Sequence, residues 1–196
     1  MNLYFKPYPC CRWAHPAIDA CIGIMREQGI TWQEIEHVTV KTFKRATLLS
    51  KIEPKTADEA QYNIAYPVAA SIVYGDFGID RVMDGAFSDA DVLGMMKRLS
   101  FEVDADLDAK FPEKRICRAE ITLKNGEKFV SADCEPRGEA HEKIDTGWLV
   151  DKFYRITAPI ISKEAADRTL GLILGNVETP VRKIVDTVND GLFRKI

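Results

Sequence analysis

Long apolar runs, a surplus of either charge and metal-ligand spacings are all missing from this 196-residue chain. No apolar segment approaches the roughly 20 residues that cross a bilayer, so no membrane span is expected. The start has no basic stretch leading into an apolar one, which excludes an ordinary signal peptide and makes a cytoplasmic location the expectation. Lys plus Arg number 27 against 30 Asp plus Glu, a net charge of −3. That near balance offers nucleic acid no global attraction, so neither nucleic acid nor membrane is an expected partner. The five cysteines (Cys10, Cys11, Cys21, Cys117 and Cys134) are odd in number and irregular in spacing, unlike a secreted disulfide framework. No Cys-x-x-Cys pair occurs, and the three histidines, His15, His37 and His141, are scattered. The thiols are therefore expected to be reduced and mostly buried, with no metal. A P-loop, a dinucleotide fingerprint and a Gly-x-Ser-x-Gly elbow are absent too, which moves ATP-driven and nicotinamide chemistry out of the front rank.

What is there is ordinary globular material: 46% apolar and 29% charged residues, enough for one sizeable domain or two small ones. Pro7 and Pro9 hold the first eleven residues extended. Pro16 opens a helix with His15 at its cap, and Ile18, Cys21, Ile22 and Met25 carry it to Gly29. A capping box at Thr31 and Glu34 precedes a strand through Val38, Val40 and Phe43. A second box, Thr56 and Glu59, starts a long buried helix over 57–74, which Pro67 should kink. A helix from Ser88 uses Val92, Met95, Met96 and Leu99, and a short strand at Phe101 and Val103 follows. Asp76-Phe77-Gly78 resembles the magnesium tripeptide of kinases, but its companion loops are missing, so it reads as the turn after the long helix.

The strongest local signal is a hairpin over 115–134, turning at Asn125-Gly126. Cys117, Ala119, Ile121 and Leu123 should share its buried face with Val130, Ala132 and Cys134. After Pro136-Arg137-Gly138 a charged stretch makes the best internal boundary, followed by helices near 148–156, 162–174 and 180–188. The last carries an apolar stripe of Val181, Ile184, Val185 and Val188. The expected fold class is α+β: a small antiparallel sheet with packed helices, plus a C-terminal helical tail. The expected layout is a junction segment 1–12, an α+β domain 13–140 and tail helices 141–196.

Chemistry concentrates at 6–15. Lys6, Cys10, Cys11, Arg12 and His15 put an ammonium, two thiols, a guanidinium and an imidazole just ahead of a helix N-terminus. Such a terminus favours carboxylate or phosphate. The plainer reading of the same residues is an interfacial strand followed by a capping histidine. Adjacent thiols in an extended chain point different ways, so Cys10 and Cys11 do not share a metal.

Lys6-Pro7-Tyr8-Pro9-Cys10-Cys11 followed by His15-x-x-Ile18-Asp19-Ala20 resembles the start of the C-terminal domain of the MmgE/PrpD family. That family includes 2-methylcitrate dehydratase, a step of propionate metabolism, cis-aconitate decarboxylase and iminodisuccinate epimerase. The segment Thr56-Ala57-Asp58-Glu59-Ala60-Gln61-Tyr62-Asn63, the run Tyr74-Gly75-Asp76-Phe77-Gly78 and the hairpin leading into Pro136-Arg137-Gly138 extend the likeness in order along the chain. The resemblance implies an α+β lid whose last helices return to a helical N-terminal domain. That domain is not among these residues and would be the partner, as a separate chain or in a longer product. It implies a lyase or isomerase acting on a small di- or tricarboxylic acid, without cofactor, in a homo-oligomer, and inactive without the helical domain. By position, Lys6 matches an active-site lysine at the domain junction and Tyr62 an active-site tyrosine of the decarboxylase branch. Cys11 stands where that branch has a histidine and falls with Lys6 among the substrate-binding positions. His15 matches a histidine common in the family and is, with Tyr62, a catalytic candidate. The rival reading is a non-catalytic remnant or binding module that keeps the lid fold.

Overall fold

A computed structural model of the chain describes residues 4–175 and 178–192. The sequence readings that touch residues 1–3 of the extended start, and 176–177 and 193–196 of the tail, lie outside the described residues. The chain divides into two compact units, Met1–Glu142 and Lys143–Ile196.

In the first unit, a 3-10 turn at Arg12–Ala14 leads into α1 (His15–Gln28). Pro16 sits in its first turn, where the missing N–H has no helical acceptor to lose. Gly29 ends α1 at φ 67, a conformation that glycine adopts without a Cβ penalty. The Thr31–Glu34 capping box forms, with the Thr31 N–H donating to Glu34 at 2.8 Å, and turns the chain into β1 (Ile35–Thr42). Short helices α2 (Ala57–Gln61), α3 (Ala65–Tyr74) and α4 (Ala90–Met96) lead to β2 (Leu99–Val103). Then come α5 (Ala105–Asp108) and the hairpin of β3 (Cys117–Leu123) with β4 (Lys128–Val130).

The fold is α+β, and its sheet runs β2-β1-β3-β4. The sheet is mixed rather than wholly antiparallel: β1 pairs parallel with β2 and antiparallel with β3. The connection between β1 and β2 carries three helices, long enough for the crossover that a parallel return needs. Helix α1 packs on β3 and α3, and α3 packs on α4. Ile18, Cys21, Val38, Val40, Ile72 and Ile121 meet in that core, all at 1% exposure or less.

Three local expectations change. The helix expected over 57–74 is two helices, and the break falls at Tyr62–Ile64, upstream of Pro67. Buried Asn63 makes it: its Oδ1 accepts the Tyr66 N–H (2.9 Å) and its Nδ2 donates to the Ile52 carbonyl (2.8 Å). Pro67 then lies in the first turn of α3, where an N–H is unpaired in any case, and no kink is required. The next helix starts one turn-element later than Ser88, because the Asp89 carboxylate accepts the Asp91 and Val92 N–H groups (3.0 and 3.3 Å).

The hairpin forms, but its turn is longer than two residues. Leu123 and Glu127 close a three-residue loop in which only Gly126 takes a positive φ, 90°. One extra loop residue reverses the parity of the returning strand. Phe129 therefore faces Ile121 and packs on the core, while Val130 pairs with Glu120 and is 63% exposed. The original register returns at Cys117–Cys134, so the extra residue is absorbed between Ser131 and Cys134.

Phe77 is fully buried edge-on to Tyr66 (6.0 Å between centroids), so Asp76-Phe77-Gly78 is a packed turn after α3.

The second unit holds α6 (Thr146–Thr157), α7 (Lys163–Gly175) and α8 (Val181–Gly191). Its small core is Ile161, Ala165 and Ala166, with Phe153, Tyr154 and Val188 against it. Gly191 permits the α7–α8 approach: a Cβ there would lie 2.0 Å from the Cβ of Ala165. Among the described residues no helix is long and apolar enough to cross a membrane.

Candidate functional site

The residues singled out at 6–15 sit where three chain segments meet. The first segment is tied to the Pro136-Arg137-Gly138 loop by the Phe5 N–H, which donates to the Gly138 carbonyl at 2.9 Å. Gly138 has φ +87, and a Cβ there would lie 1.9 Å from the Phe5 carbonyl oxygen, so glycine is what lets the backbones touch. The second tie is Tyr8, whose hydroxyl donates to Asp19 Oδ1 on α1 at 2.6 Å. Burial raises the Asp19 carboxyl above its ordinary range, offset by the Tyr8 hydrogen bond and the nearby Arg137. The third is the Cys11 N–H, which donates to the Gln61 carbonyl at 2.7 Å.

That last bond sets Cys11 beside the end of α2, one residue from Tyr62. Tyr62 follows α2 as its C-cap instead of opening a helix, and the residue is 66% exposed. Lys6 is exposed as well. Cys11 is half-buried, whereas Cys10 is enclosed, and burial raises its thiol far above the ordinary range.

His15, unlike Lys6 and Tyr62, is enclosed. It is 0% exposed, and its Nε2–H donates to the Cys10 carbonyl at 3.2 Å. The Tyr8 ring meets it edge-on at 5.4 Å. The imidazole does not cap the helix; the cap position is Ala14, with no side-chain bond. Burial lowers its pKa from 6.5 to about 4, and the charges of Lys6 and Arg12 push the same way. It is a neutral imidazole that holds the backbone of the 6–11 segment in place.

Arg12 and Glu139, far apart in the sequence, meet beside this block. Arg12 Nε pairs with Glu139 Oε1 at 3.2 Å, and its guanidinium lies 4.3 Å over the Tyr4 ring. With Ala140 and His141 these residues line an open cleft of about 380 Å³. Arg12 was visible as one cation of a dense block, but nothing local announces that Glu139, more than a hundred residues on, would reach it.

Elsewhere, burial raises the Cys21 and Cys134 thiols to about 12, and Cys117 goes the same way. Among the described residues no group of His, Cys, Asp and Glu is placed to hold a metal ion. Chemically, the first unit offers an exposed ammonium at Lys6, an exposed phenol at Tyr62 and a guanidinium at Arg12 paired with Glu139, with neutral His15 holding the Cys10 carbonyl.

The family model of the MmgE/PrpD C-terminal domain matches residues 8–174. A search of curated proteins finds no match.

Proposed function

Since this chain belongs to the MmgE/PrpD family, carrying its C-terminal domain over residues 8–174, we propose that it forms part of a lyase or isomerase acting on a small di- or tricarboxylic acid. The reaction moves a proton next to a carboxylate, with loss of water or carbon dioxide, or epimerisation, as its outcome. Such chemistry needs cations where negative charge gathers in the transition state and an acid or base within reach of the proton. In this reading Lys6 holds a substrate carboxylate by point charge, and Tyr62 donates a hydrogen bond or relays a proton. Cys11 borders the substrate between them. His15 serves as a positioning residue, because its buried ring meets the Cys10 carbonyl and not solvent. No metal or cofactor enters the proposal.

The observation that carries it is the Cys11–Gln61 hydrogen bond, which brings the 6–11 segment alongside Tyr62 while both Lys6 and Tyr62 stay exposed to an incoming ligand or domain. The partner is a helical domain that supplies the remaining acid–base groups, in a homo-oligomeric assembly. The exposed Val181 and Val185 of α8 give an apolar surface for such packing.

The test combines the chain with a helical domain of the family and assays 2-methylcitrate, cis-aconitate and iminodisuccinate. Lys6→Ala should raise KM at least tenfold, and Tyr62→Phe should lower kcat about a hundredfold. Unchanged kinetics in both variants would remove these residues from the site.

A further inference from the structure

We propose that the cleft at Arg12 binds one carboxylate of a small di- or tricarboxylic acid, and that Glu139 is the internal carboxylate this ligand displaces. The proposal rests on the reading of the chain as part of a carboxylic-acid lyase or isomerase, and names a second anchoring point for that substrate class.

The cleft, at about 380 Å³, lies within the range of roughly 300–1,000 Å³ usual for small-molecule sites. Its cation is held in place before any ligand arrives. Arg12 belongs to the 3-10 turn that starts α1, and its guanidinium stacks on Tyr4 at 4.3 Å. Glu139 Oε1 meets it at Nε, at 3.2 Å. Among the described residues the two terminal nitrogens of Arg12 have no hydrogen-bond partner. A guanidinium is a fork of five donors that matches a carboxylate two bonds at a time. A single contact through Nε leaves most of that capacity unused.

Glu139 is itself chemical evidence for the ligand. Its carboxylate shows that the geometry around Arg12 accepts this group, with both side chains only 17% and 16% exposed. Gly138 anchors the loop to Phe5 and the Glu142 N–H donates to the Glu139 carbonyl at 2.9 Å, while the Glu139 side chain is held, among the described residues, by its ion pair with Arg12. A ligand carboxylate can therefore replace it without unmaking the junction. Lys6, exposed six residues before Arg12, gives the same short segment a second cation. Two cations on one short segment suit an acid with two carboxylates better than an acid with one.

The experiment is calorimetric titration of the 196-residue chain and its variants with succinate and tricarballylate, with acetate and inorganic phosphate as comparison probes. Glu139→Gln should tighten succinate binding about tenfold by removing the internal competitor, and Arg12→Gln should weaken it at least tenfold. Arg12→Lys, which keeps the charge and loses the fork, should fall between. Acetate and phosphate should bind at least tenfold more weakly than succinate. Circular dichroism of each variant separates lost binding from lost folding, and Glu139→Gln gives a gain that misfolding cannot mimic. The proposal is overturned by equal or weaker binding in Glu139→Gln, by full affinity in folded Arg12→Gln, by phosphate binding as tightly as succinate, or by no succinate binding in either the parent or Glu139→Gln. Because the readout is affinity and not turnover, it can fail while Lys6 and Tyr62 prove catalytic. Equally, it can hold while the reconstituted protein turns over none of the family's acids.

Discussion

At the scale of single residues, buried His15 and partly buried Asp19 decide how the 6–15 block responds to acid. His15 is neutral when folded, with its pKa lowered to about 4 by burial and reinforced by Lys6 and Arg12. The unfolded chain takes up this proton near 6.5 and the folded one does not, so folding stability is full above about 6.5 and falls as the pH drops towards 4. The shift amounts to about 3 kcal/mol at the acid end of that window. Asp19 acts in the opposite sense: its raised pKa favours the folded state at low pH and loses that contribution as the pH rises. Comparison with His15→Gln isolates the histidine, since an amide can still donate to the Cys10 carbonyl but does not titrate. Denaturation between pH 4.5 and 7 should show the parent losing more stability than the variant on acidification. A stability gap that stays constant across the window would mean that His15 is not the group that senses acid.

At the scale of elements, capping and turn chemistry placed the boundaries more sharply than apolar periodicity did. Ala60, Ile64, Ala65, Val68 and Ile72 continue as if on one helix, yet Asn63 ends one element and begins the next. Its side chain accepts the Tyr66 N–H that the break exposes and donates to the Ile52 carbonyl of the preceding loop, and it is 0% exposed itself. Asn63→Ala should therefore cost about 1–2 kcal/mol, chiefly the lost bond to the Tyr66 N–H at the start of α3. Asn63→Asp, which keeps the cap and loses the donor to Ile52, should cost less. Urea unfolding measures both, and equal, small losses would argue that Asn63 does not make the break. The hairpin carries a related lesson. Alternation identified the buried face of β3 correctly, from Cys117 through Leu123. It misplaced Val130, because loop length sets the parity of the second strand and Asn-Gly alone does not specify a two-residue loop.

At the scale of the molecule, the two units differ in how much core each owns. The first is organised around a sheet and the helices α1, α3 and α4, whereas the second rests on Ile161, Ala165 and Ala166. In the second unit Val181 is 73% exposed and Val185 49%, so half of the α8 stripe finds no cover within its own unit. Water against such a stripe is unfavourable, and association removes it. The chain by itself should therefore self-associate, and Val181→Ser with Val185→Ser should weaken that association at least tenfold in sedimentation, with the melting of the first unit unchanged. A monomeric parent chain would contradict this. The sequence by itself determined the α+β class, most helices, the face of β3 and the family, because helix caps, proline positions, strand alternation and motif order are short-range codes read within a few residues. Only the tertiary structure decided the parallel β1–β2 pair, the register of β4, the burial of His15 and the meeting of Arg12 with Glu139. Each of these depends on how distant segments are brought together, and the path and length of the intervening chain set that, not the residues at the contact.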